Sequence, residues 1–308
     1  MNININSDAL VALIDAISRG CEVWYEPKRL KRLADAKAYE ITMLAKAEVQ
    51  KRQIHANSIG AAVHDEQLER IVERIVGQEM KRQANIDAIA KIALDELVNK
   101  KLETKEKVET DWLTRFFSIA QEFSDDELRH VWGKILSQEI LTPNSYSLRT
   151  LSVVSKLSKK EAELFASIGE YVLFGGPTGV LFEVNGCILG SEFGYEEISL
   201  LMECGLIRES HGLCIESNPE NDEILATYKD CAFLMRRKER EGMLRIPIYE
   251  LSTAGKELYS ILSLTPNTDY LQKIADHYRA SNIICERAKL GSTKGKVIEY
   301  EEEGKVLL

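Results

Sequence analysis

DWLTRFFSIAQEFSDDELRHVWGKILSQEILTPNSYSLRTLSVVSKLSKKEAEL, residues 111–164, is the most strongly patterned stretch of the chain. Trp112, Phe116, Ile119 and Phe123 recur at steps of three and four, and Leu128, Val131, Trp132, Ile135, Leu136 and Ile140 do so again. Apolar residues at those steps give two helices, each with one buried face. Ser124 with Glu127, and Ser158 with Glu161, have capping-box spacing, in which each side chain satisfies an orphaned backbone amide at a helix start. Thr142-Pro143-Asn144 cannot continue a helix, because the residue before proline is driven out of the α region and Asn favours a turn. The stretch predicts a bundle of about four helices. It holds no catalytic signature.

The same stretch carries a resemblance. D-W-x-x-R-F at 111–116, S-D-D-E-L at 124–128, V-W-G-K-I-L at 131–136, S-L-R-T-L at 147–151 and L-S-K-K-E-A at 157–162 occur in that order. In this the chain resembles the bacterial abortive-infection alpha-type domain and a similar family of uncharacterised bacterial proteins. The likeness extends more weakly to Tyr25-Glu26-Pro27 and to L-S-T-A-G-K-E-L at 251–258. The resemblance implies a bacterial cytosolic protein associated with antiphage defence, without an assigned enzyme activity. It lends no catalytic residues. Asp111, Trp112, Arg115, Phe116, Trp132 and Arg149 are therefore motif residues that serve the fold as readily as a site. Arg149 is the only Arg or Lys between Lys134 and Lys156, and is expected to pair with a carboxylate or cap helix carbonyls.

Composition narrows the classes. A chain of 308 residues, 44% apolar and 29% charged, is an ordinary globular sequence that usually holds two domains. Its net charge of −9 argues against a general nucleic-acid binder, whose phosphate contacts need a basic surface. Cys21, Cys187, Cys204, Cys214, Cys231 and Cys285 form no C-x-x-C pair, which fits a reducing cytosol. No secretory signal and no run of about 18 apolar residues is present, so the expectation is a cytoplasmic protein.

The amino-terminal segment has its own pattern. Leu10, Leu13, Ile14, Ile17, Cys21, Trp24 and Tyr25 share one helical stripe, followed directly by Lys28, Arg29, Lys31 and Arg32. Such a helix packs on its own protein, or lies at an anionic membrane surface with its aromatics at headgroup level and its cations on the lipid. Both readings are open at this level. From Pro27 to Ile59 strong helix formers predict one helix of roughly 50 Å. A second stripe, Leu68, Ile71, Val72, Ile75, Val76, Met80, Ile86, Ile89, Ala93 and Leu97, predicts its partner. The turn between them is placed near residues 57–60. A hairpin so long and imperfectly striped predicts self-association into a homo-oligomer.

After Ala166 the texture changes. Asn185-Gly186 between two short β-type runs predicts a hairpin, and Gly175-Gly176-Pro177 reads as a turn, because it lacks the spacing and lysine of a phosphate loop. A helix at 195–203, then G-L-I, a loop, a strand at 244–251 and a capped helix to Leu262 resemble a winged helix. The helix that would enter DNA carries Glu196, Glu197 and Glu203 and no cation, so DNA is an unlikely partner. Arg236-Arg237-Lys238-Glu239-Arg240 is placed in the loop. The spacing of Cys204, His211 and Cys214 is not a zinc pattern, and no nucleophile elbow or nucleotide fingerprint occurs, so no metal, cofactor or catalytic residue is expected.

The sequence expectation is thus a mainly α chain with three parts. Residues 1–104 form a long amphipathic arm or helical hairpin, 105–174 a central helical bundle, and 175–308 a winged-helix-like α+β module. The expected function is a non-enzymatic antiphage protein that senses a phage component, oligomerises and uses its amphipathic arm to disturb the inner membrane. The competing expectation is a winged-helix transcriptional regulator with helical dimerisation arms.

Overall fold

The computed structural model describes residues 8–21, 59–98, 100–102, 104, 106–209, 212–218, 222–239, 243–264, 267–294, 297–300 and 305–308. The chain divides at Leu148/Arg149 into two compact units. Residues 105–174, read together from the sequence, fall on both sides of that division.

Unit 1 holds α1 (Asp8–Gly20), α2 (Ile59–Leu97), α3 (Thr110–Ala120) and α4 (Asp126–Leu141). α2 packs chiefly on α4, and α1 on α3. The aromatic periodicity places Trp112, Phe116 and Trp132 in one core: Trp112 stacks on Phe116 at 5.1 Å, and Phe116 meets Trp132 edge-on at 5.3 Å. Gly133 lets α4 approach α2, since a Cβ there would stand 2.5 Å from Ile92 Cγ2. The start of α4 lies one residue beyond the expected capping box. Asp125, not Ser124, is the cap, and its carboxylate accepts from the amides of Glu127 and Leu128 at 3.0 and 3.1 Å. The first limb of the predicted hairpin, residues 27–58, lies outside the described residues. Its second limb is α2, which already begins at Ile59, inside the stretch expected to turn.

Unit 2 begins with the short helices α5 (Leu148–Val154) and α6 (Lys159–Gly169), α5 starting at the division itself. At α6 the expected box forms: Ser158 Oγ accepts from the Glu161 amide at 3.3 Å, and the Glu161 carboxylate accepts from the Ser158 amide at 2.7 Å. The rest is built on strands β1 (Leu173–Gly175), β2 (Thr178–Val184), β3 (Cys187–Ile188), β4 (Cys214–Glu216), β5 (Glu223–Tyr228), β6 (Cys231–Arg237), β7 (Arg245–Glu250), β8 (Ile283–Lys294), β9 (Val297–Tyr300) and β10 (Val306–Leu307). Helices α7 (Tyr195–Glu203), α8 (Thr253–Tyr259) and α9 (Thr268–Arg279) accompany them. The strands pair antiparallel in the order β10-β8-β6-β5-β1-β2-β7-β4, with β3 added on β2 and β9 on β8. Tyr270, Ile274 and Tyr278 of α9 pack on Phe182, Phe233 and Met235 of one sheet face.

This corrects the expected fold class. The chain is not mainly α with a winged-helix module; its carboxy-terminal part is a broad antiparallel sheet, where a winged helix would have a small wing. The segment read as a loop before the strand at 244 contains β4, β5 and β6, so Arg236 and Arg237 end a strand. The physical reason lies in the turn. Tyr228 pairs with Cys231 across Lys229-Asp230, with Lys229 at φ 55°. A lysine at positive φ gives none of the Asn-Gly signal on which hairpin recognition rests. Asn185-Gly186 does carry that signal, and there the expected β2–β3 hairpin is found, with Val184 opposite Cys187 and φ of 50° and 81° in the turn.

Candidate functional site

The residues singled out by sequence fall into three groups. Leu13 and Ile17 are buried in unit 1, Leu10 is half-buried and Ile14 is exposed, so the α1 stripe is turned largely into the fold. Trp24, Tyr25, Lys28, Arg29, Lys31 and Arg32 lie outside the described residues. Of the motif residues, Trp112, Phe116 and Trp132 are core, whereas Asp111, Arg115 and Arg149 are at the surface. The Arg149 side chain makes no hydrogen bond or ion pair among the described residues, whereas a carboxylate or helix carbonyls were its expected partners. The next residue takes the buried role, with Thr150 Oγ1 donating to the Glu257 carboxylate.

Two buried polar centres in unit 1 escaped the sequence pattern. Asn85 donates to the Gln121 carbonyl at 2.6 Å and accepts from Arg129 Nη2 at 2.6 Å, while Arg129 also reaches the Phe123 carbonyl and Asp126. One amide thus ties α2 to the turn between α3 and α4. Buried Glu139 accepts from the amides of Asn144 and Tyr146 at 2.7 and 2.9 Å, and Trp112 Nε1 donates to the Tyr146 carbonyl at 2.7 Å. Asn144, at φ 71°, makes the turn after Pro143 that brings these amides round. An Asn interrupting the stripe between Met80 and Ile86 was the available signal for the first centre. For the second there was none, because Glu139 sits inside an ordinary charged-and-apolar helical pattern.

Among the described residues each unit carries a concave surface. In unit 1 a groove of about 1010 Å³ lies between α1 and a segment that includes Lys101, Leu102, Thr104 and Val108. Its rim is tied by Asp15, which pairs with Arg19 at 2.9 Å and Lys107 at 3.4 Å, while Arg19 Nη1 donates to the Val108 carbonyl at 2.8 Å. In unit 2 a cleft of about 360 Å³ mixes charges, with Arg236 on Glu286 at 3.4 Å and Lys305 Nζ 3.4 Å from the Tyr300 hydroxyl. Neither gathers a nucleophile beside a base. Burial and nearby Asp87 push the Cys21 thiol up to about 11, burial and Glu161 do the same for Cys204, and burial lifts Cys285 to about 12. These thiols stay protonated near neutrality, the unreactive form. Among the described residues no three His, Cys, Asp or Glu side chains are arranged to hold a metal ion. Nor, among them, is any helix long and apolar enough to cross a membrane.

The third surface is convex. α2 has 39 residues, roughly 58 Å, and among its described side chains the buried ones, Asn85, Ile86, Ile89, Ala90, Ala93 and Leu97, lie in its carboxy-terminal half. Upstream, on the same helical face, Ile71 and Ile75 are each 46% exposed, and Met80 at its flank is 56% exposed.

A family model described as "Protein of unknown function (DUF2806)" matches residues 69–175, about a third of the chain, from this outer part of α2 to the end of β1. No curated protein and no solved structure matches the chain. The matched stretch contains Asn85, Trp112, Arg129, Gly133 and Glu139, so both buried polar centres lie within it.

Proposed function

We propose that the chain is a non-enzymatic antiphage protein of the abortive-infection kind, in which unit 1 carries assembly and unit 2 recognises a phage component. The antiphage part rests on the resemblance of the 111–164 motifs. The assembly part rests on one observation, the apolar face of α2 that continues past the packed core with Ile71 and Ile75 outward. An exposed apolar stripe on a helix is the ordinary mark of a partner surface. Support for a binding role also comes from where polar chemistry is used. Buried Asn85, Glu139, Thr150 and Ser217 all serve backbone or side-chain hydrogen bonds within their own unit.

The membrane step has a stated cost. Extracting Leu13 and Ile17 of α1 would forfeit about 1.5–3 kcal/mol for each side chain, comparable in sum to a sizeable part of domain stability. Membrane disturbance by α1 therefore belongs to a triggered state, with the trigger supplying that free energy.

The test is a phage challenge of bacteria expressing the chain, with plaque counts against cells lacking it. Protection should appear, should fall when Ile71 and Ile75 are both changed to Glu, and should be evaded by phages whose mutations fall in one gene. Equal plaque counts across a broad phage panel would sink the antiphage reading.

A further inference from the structure

The outer half of α2 is built from a four-residue repeat, Glu69-Arg70-Ile71-Val72 followed by Glu73-Arg74-Ile75-Val76. Four residues nearly close a helical turn of 3.6, so each letter of the repeat forms a row along the helix. The Ile and Val rows together make the apolar stripe. The Glu row borders it on the Val side, and the Arg row borders it on the Ile side. The stripe thus has one acidic edge and one basic edge.

We propose that the occupant of this face is the same face of a second copy, packed parallel and in register from residue 68 to residue 80. The orientation follows from the edges. When two such stripes face each other parallel, the acidic edge of each copy lies along the basic edge of the other. Turned antiparallel, acid meets acid and base meets base. The surface is therefore self-complementary in one orientation only, as an isologous two-fold contact requires. A stripe of about 20 Å lies at the low end of what sustains a specific interface, so the pairing is reversible with concentration. This inference rests on the assembly part of the proposed function and names its partner; it is independent of phage sensing.

The experiment is sedimentation velocity on the full chain over a range of concentrations, joined to charge-edge variants. The parent should shift from the mass of one chain towards two as concentration rises. Glu69→Arg with Glu73→Arg makes both edges basic, and Arg70→Glu with Arg74→Glu makes both acidic. Each variant alone should stay at one chain with an unchanged melting temperature, and an equimolar mixture should pair. Orientation is read from Leu68→Cys with Cys187 and Cys214 changed to Ser, which should form a disulfide-linked dimer under mild oxidation. A parent that remains monomeric at every concentration overturns the proposal. Pairing indifferent to the charge variants, or dimers of the Leu68→Cys variant that form no disulfide cross-link, overturns the parallel arrangement. A parent chain that does not self-pair yet still protects cells from phage would sink this inference while leaving the antiphage reading standing.

Discussion

The two halves of α2 are one helix with one apolar face and opposite fates. From Asn85 to Leu97 that face is buried against unit 1, and it is interrupted by a polar residue whose hydrogen bonds are satisfied inside the unit. Between residues 68 and 80 the face is cleaner in sequence, yet it stays outside the packed core. Apolar periodicity therefore marks a face that is to be covered, and says nothing about by what. The buried half is recognisable only by its partners: Gly133 of α4 fitted against Ile92, and Arg129 holding Asn85. The outer half instead has charged edges that repeat.

The sharpest way to break this comparison starts in the core. Leu13→Glu forces a carboxylate into a packed position that has no partner for it, and loss of soluble protein is expected, seen as aggregation on expression. A soluble, folded Leu13→Glu protein would mean that α1 is not part of the resting core. Trp132→Ala should cost about 3–5 kcal/mol, as for other large buried aromatics. An unchanged urea midpoint would put the α3–α4 packing in error. Ile89→Ala against Ile75→Ala compares the two halves directly. The first should lower stability by about 2–5 kcal/mol, and the second by no more than about 0.5 kcal/mol in a dilute monomer. Equal losses in chemical denaturation would show that the outer half is covered within one chain.

Asn85→Ala is expected to cost about 1–3 kcal/mol, because it leaves the Gln121 carbonyl and one Arg129 donor without their partner. Thermal melts would separate this from the near-zero change expected at exposed Arg149, where Arg149→Ala should leave the midpoint in place. The smallest effect belongs to Glu161 in the α6 capping box. Its carboxyl is held below the usual carboxylate range by hydrogen bonds from the Ser158 backbone and side chain. A depressed folded-state pKa means that the stabilisation is present above the unfolded value of 4.5 and is lost as pH falls through the folded one. Glu161→Gln keeps an acceptor for the Ser158 amide, so its melting temperature should fall less steeply than the parent's in acid. Identical acid limbs would remove the carboxylate from that account.

What was legible in the sequence was local. Three- and four-residue steps gave α3 and α4, the Ser158 box gave the start of α6, Pro143 ended α4, and Asn-Gly gave the β2–β3 hairpin. Each rests on interactions within a few residues of chain, where residue type and backbone conformation are directly coupled. The sheet of unit 2 was not legible, because β6 pairs with β8 across some fifty residues, from Cys231 opposite Lys289 to Arg237 opposite Ile283. Strand pairing at that separation leaves no mark on either segment beyond an apolar run, and the Lys229 turn hid the β5–β6 hairpin as well. Tertiary structure alone also decided the roles of polar residues. The position of Asn85 on another helix makes Arg129 a half-buried tie, whereas Arg149 meets no such partner and stays in solvent. The stripe of α1 was plain from residue spacing, but whether Leu13 and Ile17 face lipid or core depends on whether α3 offers them a complementary surface. Hydrophobic burial is non-directional: the sequence marks which surfaces must leave water, and only packing selects the surface that covers them.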